Sequence, residues 1–363
     1  MSPTLGMGGA QQHMVYFANY LISRNYKVLV INLSLDNTIA YRFDGGVEII
    51  NIPRAYNFDL KPAKNVARIV KERKIETIFC DSLFCYLFLF RLHRIKSIKI
   101  SIIFHTSFYV SRYFYLKDFF VRLLVRKGVR LIGIAENQIE FLSRILFFKK
   151  NRFRLIYNGV DTNIFNFEYR VNSRADDMRR QLSIPDNAFV IVKTARFSPE
   201  KNHEMAIQVL ALLRQKFKID AYMIFVGNTN RNRMELIGTM SEKFAVAEYV
   251  RMVGVARDVR PYLAISDLFI LTSKSVETFS IAALEAMSVG LPVVITDLGG
   301  AREMVINGKN GFVVDCGDAE KFSQAVVDIV KGNLEFSNSD ISDFISQNFG
   351  LDNTNRLLEE FIF

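Results

Sequence analysis

The sequence contains only three cysteines among its 363 residues, and no two of them form a Cys-x-x-Cys pair. Cys80, Cys85 and Cys316 also make an odd number, which does not suit the disulfide framework of a secreted domain. We therefore expect reduced thiols and, with them, a cytoplasmic protein.

Long hydrophobic runs are absent as well. The most apolar stretch, 75–90, is 16 residues long and is interrupted by Glu76 and Asp81, whereas a membrane span needs about 20 apolar residues. We interpret this stretch as a buried strand followed by a core helix. The opening residues, MSPTLGMGGAQQ, show no basic flank followed by an apolar run, so we expect no signal peptide.

Motifs that bind metal ions are also missing. The sequence has no Asp-x-Asp, the usual short carboxylate clamp for a metal–diphosphate, and its histidines show no spacing typical of a metal site. We therefore expect neither a metal nor another cofactor. If a diphosphate binds, cationic side chains and amides at helix N-termini must neutralise it. The histidines are His13, His93, His105 and His203.

The charge that is present is unevenly placed. The formal net charge is +10, and segment 91–154 alone holds 15 Lys or Arg against three acids. Within it, residues 112–130 mix aromatic and aliphatic side chains with Arg122, Arg126 and Arg130, spaced as one stripe of a helix. Such a helix can lie on an anionic membrane, where each cation contributes roughly 1 kcal/mol. The alternative is a solvated face over a core helix.

Strand-like and helix-like runs alternate along the chain, which predicts an α/β fold with parallel sheets covered on both faces. The length fits two domains, and the alternation is lost near 160–185. We predict domains at 1–165 and 166–345 and a last helix at 346–363. The predicted strands lie within 27–33, 77–80, 98–105, 129–135, 152–160, 189–195, 221–227, 249–254, 268–273, 292–296 and 311–315.

The most informative stretch is SVETFSIAALEAMSVGLPVV, residues 275–294. Thr278 or Ser280 can cap the start of a helix, because their side-chain oxygens accept from the amides of its first turn. Gly290 suits a left-handed helix stop, and Pro292 prevents continuation. A helix alone does not explain why this stretch carries two glutamates.

Those glutamates are Glu277, which precedes the helix, and Glu285, which lies about a turn and a half inside it. Glu277 can hold sugar hydroxyls, and Glu285 can accept a hydrogen bond from a ribose. Amides at the helix start can bind an anion, and they belong to Phe279, Ser280 and Ile281. The alternative is one surface glutamate and one buried partner of an ion pair.

A second candidate site is the loop ARFSPEKN, in which Arg196 and Lys201 follow a predicted strand. Open α/β sheets bind ligands at the carboxyl ends of their strands, and two cations there can neutralise a diphosphate. Ser198 and Pro199 predict that a capped helix begins inside this loop. A charged, capped loop without a ligand is the alternative.

Two weaker candidates lie in the first half of the chain. Gly6, Gly8 and Gly9 precede a helical pattern, and glycines at a helix start let amides approach a phosphate, although such glycines are also common in turns. His105 closes a predicted strand, where a lone histidine is more often a core residue than a site residue.

Together these stretches resemble the GT4 family of retaining glycosyltransferases with the GT-B fold. The resemblance implies two Rossmann-like domains facing across a cleft, with a C-terminal helix that can cross back between them. It implies that the N-terminal domain binds the acceptor and the C-terminal domain binds the nucleotide-sugar, without a metal. The resemblance is carried by residues 6–13, 195–202 and 273–305, and by IYNGVDTNIF at 156–165, similar to the interdomain segment of the family.

The resemblance also implies roles for single residues. Arg196 and Lys201 would bind the donor diphosphate. Glu277 would contact the donor sugar, and Glu285 would hold the ribose. The remaining implied contacts are backbone contacts to phosphate or sugar from Phe279, Ser280 and Ile281, an approach to the diphosphate by Gly8 and Gly9, and a place near the transferred sugar for His105.

The sequence departs from the family in two ways. A strand usually precedes the glycine loop, but here Met1 falls almost on that loop, so either translation starts upstream or the N-terminal sheet lacks a central strand. Relatives also often have glycine where this chain has Thr278 and Ser280, which could alter the choice of donor.

The function that we predict is metal-independent, retaining transfer of a hexose or N-acetylhexosamine from a nucleotide diphosphate-sugar, with UDP favoured. The predicted acceptor is a lipid-linked glycan in bacterial surface polysaccharide or lipopolysaccharide assembly, reached from the inner face of the cell membrane. The alternatives are a catalytically silent nucleotide-sugar binder, a basic nucleic-acid-binding protein and a nicotinamide dehydrogenase. No nucleic-acid-binding motif accompanies the basic segment, and for the dehydrogenase only Asp36 could serve as the ribose-binding acid, which is weak support.

Overall fold

The computed structural model describes residues 1–6, 8–56, 59–92, 97–108, 111–173, 175–227 and 230–363. Met7, His93 and parts of the basic segment (93–96 and 109–110) lie outside the described residues. The chain divides into a first unit, Met1–Gly159 with Leu351–Phe363, and a second unit, Val160–Gly350.

Strands and helices alternate in both units. The strands are β1 (Leu29–Asn32), β2 (Glu48–Asn51), β3 (Thr77–Cys80), β4 (Lys99–Phe104), β5 (Arg130–Gly133), β6 (Phe153–Leu155), β7 (Phe189–Thr194), β8 (Ala221–Val226), β9 (Val250–Gly254), β10 (Leu268–Leu271), β11 (Val293–Thr296) and β12 (Gly311–Val314). The helices are α1 (Gly9–Ser23), α2 (Pro62–Glu72), α3 (Leu83–Tyr86), α4 (Arg112–Leu124), α5 (Glu136–Ile145), α6 (Phe167–Asn172), α7 (Ala175–Gln181), α8 (His203–Gln215), α9 (Arg231–Lys243), α10 (Arg260–Ala264), α11 (Ile281–Ser288), α12 (Ala301–Met304), α13 (Ala319–Val330), α14 (Asn338–Phe349) and α15 (Leu351–Ile362).

The sheet of the second unit has the strand order β12-β11-β10-β7-β8-β9, and all of its pairs are parallel. Counted from β7, this is the 3-2-1-4-5-6 order of a dinucleotide-binding fold, with the switch point between β7 and β10. Strands β10 and β11 are buried at every position because helices cover both faces. The predicted α/β architecture is therefore confirmed, and the switch point is where a ligand is expected.

The first unit has parallel pairs β1-β2 and β3-β4-β5-β6. Met1 and Ser2 lie between β1 and β3. The Met1 ammonium donates to Phe79 O at 2.6 Å, while Ser2 N donates to Ile31 O at 3.0 Å. Met1 and Ser2 thus link the β1-β2 pair to the β3-β4-β5-β6 sheet through backbone hydrogen bonds.

Two local predictions for the first unit were wrong or incomplete. The stripe of Arg122, Arg126 and Arg130 is not on one helix, because α4 ends at Leu124 and Arg130 already belongs to β5. The backbone adopts an extended conformation at Val125, and the helix therefore ends there. Strand β2 was not predicted, since its four residues are half-buried in the middle and exposed at both ends and so form no apolar run.

Segment 75–90 forms β3, α3 and part of a 3-10 helix, as predicted, and its side chains contribute to the core of the first unit. Burying each large aliphatic or aromatic side chain of that core stabilises the fold by about 1.5–3 kcal/mol relative to exposure. Among the helices that the structure describes, none is both long and apolar enough to cross a lipid bilayer.

Candidate active site

The two loops at the switch point of the second unit bring predicted site residues together. Lys201, in the loop after β7, donates from Nζ to Glu277 Oε2 at 2.6 Å, and Glu277 lies in the loop after β10. Their side chains are only 16% and 14% exposed. Ser273 Oγ donates to the same carboxylate oxygen at 3.2 Å. The cation and the first glutamate therefore meet at the position where open α/β sheets bind ligands.

The loop after β7 differs in detail from the prediction. Pro199–Lys201 form a single 3-10 turn, and Ser198 makes no side-chain cap. Asn202 then takes a left-handed conformation, with φ of 47°, so that α8 begins only at His203. The predicted helix start at Pro199 is thus corrected by four residues, because the left-handed Asn202 interrupts the helix.

Arg196 lies at the exposed edge of the same loop. Its guanidinium is 3.6 Å from Glu200 Oε1, and half of its side chain is exposed to solvent. The structure thus brings Lys201, but not Arg196, into direct contact with Glu277. An exposed, loosely paired arginine can swing toward an anion at little cost, because such a pair contributes little in water.

The backbone that carries Glu277 is held in a strained conformation. Val276 has φ of 54°, a left-handed conformation that β-branched residues rarely adopt. Gly299 lies against this loop, and a Cβ there would come within 2.2 Å of Thr278 O. The next backbone amide, that of Gly300, donates to the same oxygen at 2.6 Å. The loop is thus fixed by close backbone packing as well as by the ion pair.

Helix α11 begins directly after this loop. Ser280 is its N-cap and accepts from Ala283 N at 3.2 Å, one of the two caps that the sequence offered. Gly290 has φ of +82°, the predicted left-handed stop. Phe279 is buried and packs on Phe349 with ring centroids 5.4 Å apart. Its side chain is thus structural, and only its backbone can serve a ligand.

The other predicted residues of this helix start are also placed. Ile281 is the first residue of α11 and its side chain is buried. Glu285 lies one turn further along and is half-buried. Both glutamates of the sequence motif are thus on α11 or on the loop that leads into it.

In the first unit, Gly8 is the N-cap of α1 and Gly9 is its first residue. No side chain caps this helix. His105 follows β4, and its Nε2 is 3.0 Å from Oδ1 of the buried Asp81. The carboxylate orients the imidazole, so His105 is held in one position rather than buried as a plain core residue.

Sequence reasoning missed two neighbours of His105. Asp81 lies within the apolar stretch 75–90 and was treated only as an interruption of it. His13 lies on α1, is 2% exposed, and its ring meets that of His105 edge-on at 5.6 Å. Burial, and then the charge of His105, lower the pKa of His13 to about 3, so this imidazole is neutral. The sequence signal that could have identified His13 as a site residue is its position one turn into α1, after the glycines.

A second buried histidine, His203, opens α8 behind the loop after β7. Its ring stacks on Phe197 at 4.4 Å. Burial is the main cause that lowers the pKa of His203 to about 2, followed by the charges of Lys193, Arg233 and Lys201. Among the described residues, no group of three or more His, Cys, Asp or Glu could hold a metal ion.

Comparison with known families agrees with this arrangement. A family model described as "Glycosyl transferases group 1" matches residues 174–341, and one described as "Glycosyltransferase Family 4" matches residues 7–164. The two matches together span most of both units. The chain belongs to the group 1 glycosyltransferases, and its fold is GT-B.

Curated relatives carry glycosyltransferase names. The chain is 30% identical over 225 residues to a GDP-mannose-dependent phosphatidylinositol monomannoside mannosyltransferase of Mycolicibacterium smegmatis, covering 57% of this chain and 56% of that relative. It is 33% identical over 156 residues to the lipopolysaccharide core biosynthesis glycosyltransferase LpsE of Rhizobium meliloti, covering 43% of each. The chain thus spans about half the length of the curated relatives that it matches.

Solved structures agree in fold over nearly the whole chain. Anabaena Alr3699/HepE, in complex with UDP, superposes with a TM-score of 0.85 at 19% identity, covering 99% of this chain and 97% of that one. The lipopolysaccharide glycosyltransferase WaaG gives a TM-score of 0.77 at 15% identity, covering 100% and 98%. At these identities the likeness shows the fold alone.

Proposed function

We propose that this chain is a retaining, metal-independent glycosyltransferase. It would transfer a hexose or N-acetylhexosamine from a nucleotide diphosphate-sugar to a hydroxyl of a glycan acceptor. The observation that carries the proposal is the contact of 2.6 Å between Lys201 Nζ and Glu277 Oε2 at the switch point of the second unit. A cation beside a carboxylate supports the proposal, because a nucleotide-sugar presents both phosphate oxygens and sugar hydroxyls.

The leaving group is a diphosphate, and the second unit offers positive charge for it. Lys201 and the exposed Arg196 would stabilise the negative charge that grows on the phosphate oxygens as the glycosidic bond breaks. Amides at the start of α11, from Phe279, Ser280 and Ile281, would add backbone donors at the positive end of a helix. In this proposal the leaving phosphate itself takes the proton of the acceptor hydroxyl.

The remaining roles follow the sequence prediction. Glu277 would accept hydrogen bonds from hydroxyls of the donor sugar, and Glu285 would hold the ribose. In the first unit, Gly8 and Gly9 would approach the diphosphate through their backbone, and His105, oriented by its buried carboxylate partner, would contact the transferred sugar.

The donor proposed is a UDP-sugar. The UDP in the Alr3699/HepE structure supports this choice, and so does the name of a relative from Escherichia coli, a UDP-Gal-dependent galactosyltransferase that is 26% identical over 203 residues. The GDP-mannose dependence in the name of the mycobacterial relative supports the competing donor. Both donors must therefore be included in the test.

The acceptor proposed is a lipid-linked glycan of surface polysaccharide or lipopolysaccharide assembly. Relatives named for phosphatidylinositol monomannoside, lipopolysaccharide core and diphosphoundecaprenol substrates support it. Exposed apolar side chains of the first unit support a contact with the membrane: Phe120 and Leu123 are each 62% exposed, and Phe147 is 70% exposed. Exposed Arg126 and Lys127 follow Leu123 within four positions of the chain. Apolar side chains flanked by cations suit the anionic inner face of the cell membrane.

The deciding experiment is a thermal-shift screen of nucleotide-sugars followed by a transfer assay. A bound donor raises the apparent stability by mass action, and a UDP-sugar is expected to raise it most. Slow hydrolysis of that donor without acceptor would distinguish an enzyme from a silent binder. Retention is read from the anomeric configuration of the product by NMR. The proposal would be refuted if no nucleotide-sugar raised the melting temperature, or if only nucleic acid did so.

A further inference from the structure

Beneath the two loops of the candidate donor site lies a lysine that the proposed reaction does not use. Lys193 is on β7, at the switch point, and its side chain is completely buried. Its Nζ donates to Lys201 O at 2.7 Å and to Thr272 Oγ1 at 2.7 Å. One amine therefore touches the loop after β7 and the first residue after β10.

The contact continues through the threonine. The Thr272 hydroxyl donates to Asn202 O at 2.7 Å. Lys193 thus holds two consecutive carbonyl groups, one directly and one through Thr272, where the left-handed Asn202 ends the loop. Asparagine tolerates this left-handed conformation, and the two carbonyl contacts hold the backbone on both sides of it in place.

Burial of this amine acts against its charged form. Burial, and next the charge of Lys201, lower the pKa of Lys193 well below its ordinary value, while the carboxylates of Glu277 and Glu204 oppose this shift. The described residues provide two acceptors for this amine, Lys201 O and Thr272 Oγ1.

We propose that Lys193 is a positioning residue of the donor site: by fixing Lys201 O and Thr272 Oγ1, it sets where Lys201 Nζ meets Glu277 and the donor diphosphate. This inference rests on the proposed function of the same loops. Lys193 does not touch the substrate in this account. It acts through Lys201, and its removal should therefore matter only while Lys201 is present.

The test is a double-mutant cycle read by calorimetric titration with UDP and with inorganic pyrophosphate. Lys193→Met keeps the length and apolar stem but removes the donors, and it should weaken the binding of both probes about tenfold, equivalent to about 1.4 kcal/mol. In a Lys201→Met background the same change should weaken binding no further, since groups acting as one unit are not additive. Equal weakening in both backgrounds would overturn the inference.

Arg170 provides a matched control in the same unit. Its half-buried guanidinium donates to Gly290 O at 3.1 Å and to Ser266 O at 2.8 Å, away from both loops. Arg170→Met should therefore lower stability without weakening pyrophosphate binding. If Lys193→Met does not fold, Thr272→Val removes the second link and should show the same dependence on Lys201.

Amide hydrogen exchange separates this inference from the proposed function. Lys193→Met should speed exchange at residues 203–205, which follow the loop, more than Arg170→Met does, whether or not a ligand binds. If the unaltered chain binds neither probe, the proposed function fails and this exchange alone decides the role of Lys193. Unchanged exchange in Lys193→Met would overturn it.

Discussion

Lys201 Nζ and Glu277 Oε2 are 2.6 Å apart although 76 positions separate the two residues in the chain. The pair joins the loops that follow the two strands on either side of the switch point. Each partner lowers the cost of partly burying the other, so that a cation and a carboxylate are available together at one end of the sheet.

Replacing Glu277 tests the proposed role in catalysis. Glu277→Gln keeps the shape of the side chain but removes its charge, and we expect kcat to fall by about 10²-fold, the scale of losing one preorganised contact to a transition state. The measurement is initial-rate transfer from the preferred nucleotide-sugar. Unchanged turnover would refute the role.

The control for that change is Glu335→Gln. Glu335 forms an exposed ion pair with Lys309 at 3.0 Å. Because exposed pairs contribute little, this variant should retain full activity and stability.

Val276→Gly tests whether the strained backbone serves the site. Glycine adopts positive φ freely, so the variant should gain about 1 kcal/mol of unfolding free energy from relief of strain. It should also raise KM for the donor, because Glu277 is then held less firmly. Urea unfolding and steady-state kinetics measure the two effects.

Lys218→Gly is the matched control, since Lys218 has φ of 58° and lies between α8 and β8. It should gain similar stability and leave KM unchanged. A rise of KM in both variants would show that looseness at Val276 is not what matters.

The buried His203 predicts a pH dependence of stability. Its folded-state pKa of about 2 is below the ordinary value of 6.5. Between these two values the unfolded chain binds a proton on His203 and the folded chain does not. Stability should therefore be complete above pH 6.5 and fall as the pH drops below it. Between pH 7.5 and 5.5 the loss from this group is about 1.4 kcal/mol.

His203→Phe should remove that part of the pH dependence, because a phenyl ring can keep the stacking on Phe197 without titrating. The measurement is thermal unfolding of both proteins from pH 5 to 8. If the variant has the same pH profile as the parent chain, His203 is not buried in its neutral form.

The membrane proposal can be tested by flotation with vesicles. We expect the chain to bind anionic vesicles at low salt and to dissociate from them at high salt. We expect no binding to zwitterionic vesicles. A double change, Phe120→Asp with Leu123→Asp, should abolish binding. Val255→Asp is the control, because Val255 is 56% exposed but lies in the second unit. Failure to bind anionic vesicles at low salt would contradict the proposal.

Much of the fold could be predicted because parallel strands buried on both faces appear in the sequence as short apolar runs, as in β10 and β11. Strand β2 escaped notice because its ends are exposed. The helix start at Pro199 was misplaced because the tendency of asparagine toward the left-handed conformation was not considered for Asn202.

The site was only partly predictable for a related reason. Lys201 and Glu277 stood out because charged residues at strand ends suggest ligands. Lys193 did not, since a lysine inside VIVKTA looks like one residue of a strand whose side chain reaches solvent. Its role depends on Thr272, which is brought to it only by the pairing of β7 with β10. Contacts made across a sheet carry no signature in either local sequence.

The unequal burial of the cysteines makes the second unit easy to label. Cys80 and Cys85 are buried, and burial raises the pKa of the Cys85 thiol to about 11, so neither reacts readily in the folded protein. Cys316 is exposed, and its Sγ lies 3.8 Å from Ser273 O, in the loop that carries Glu277. A maleimide fluorophore should therefore attach at Cys316 alone and report donor binding by a change in its emission, without any engineered residue.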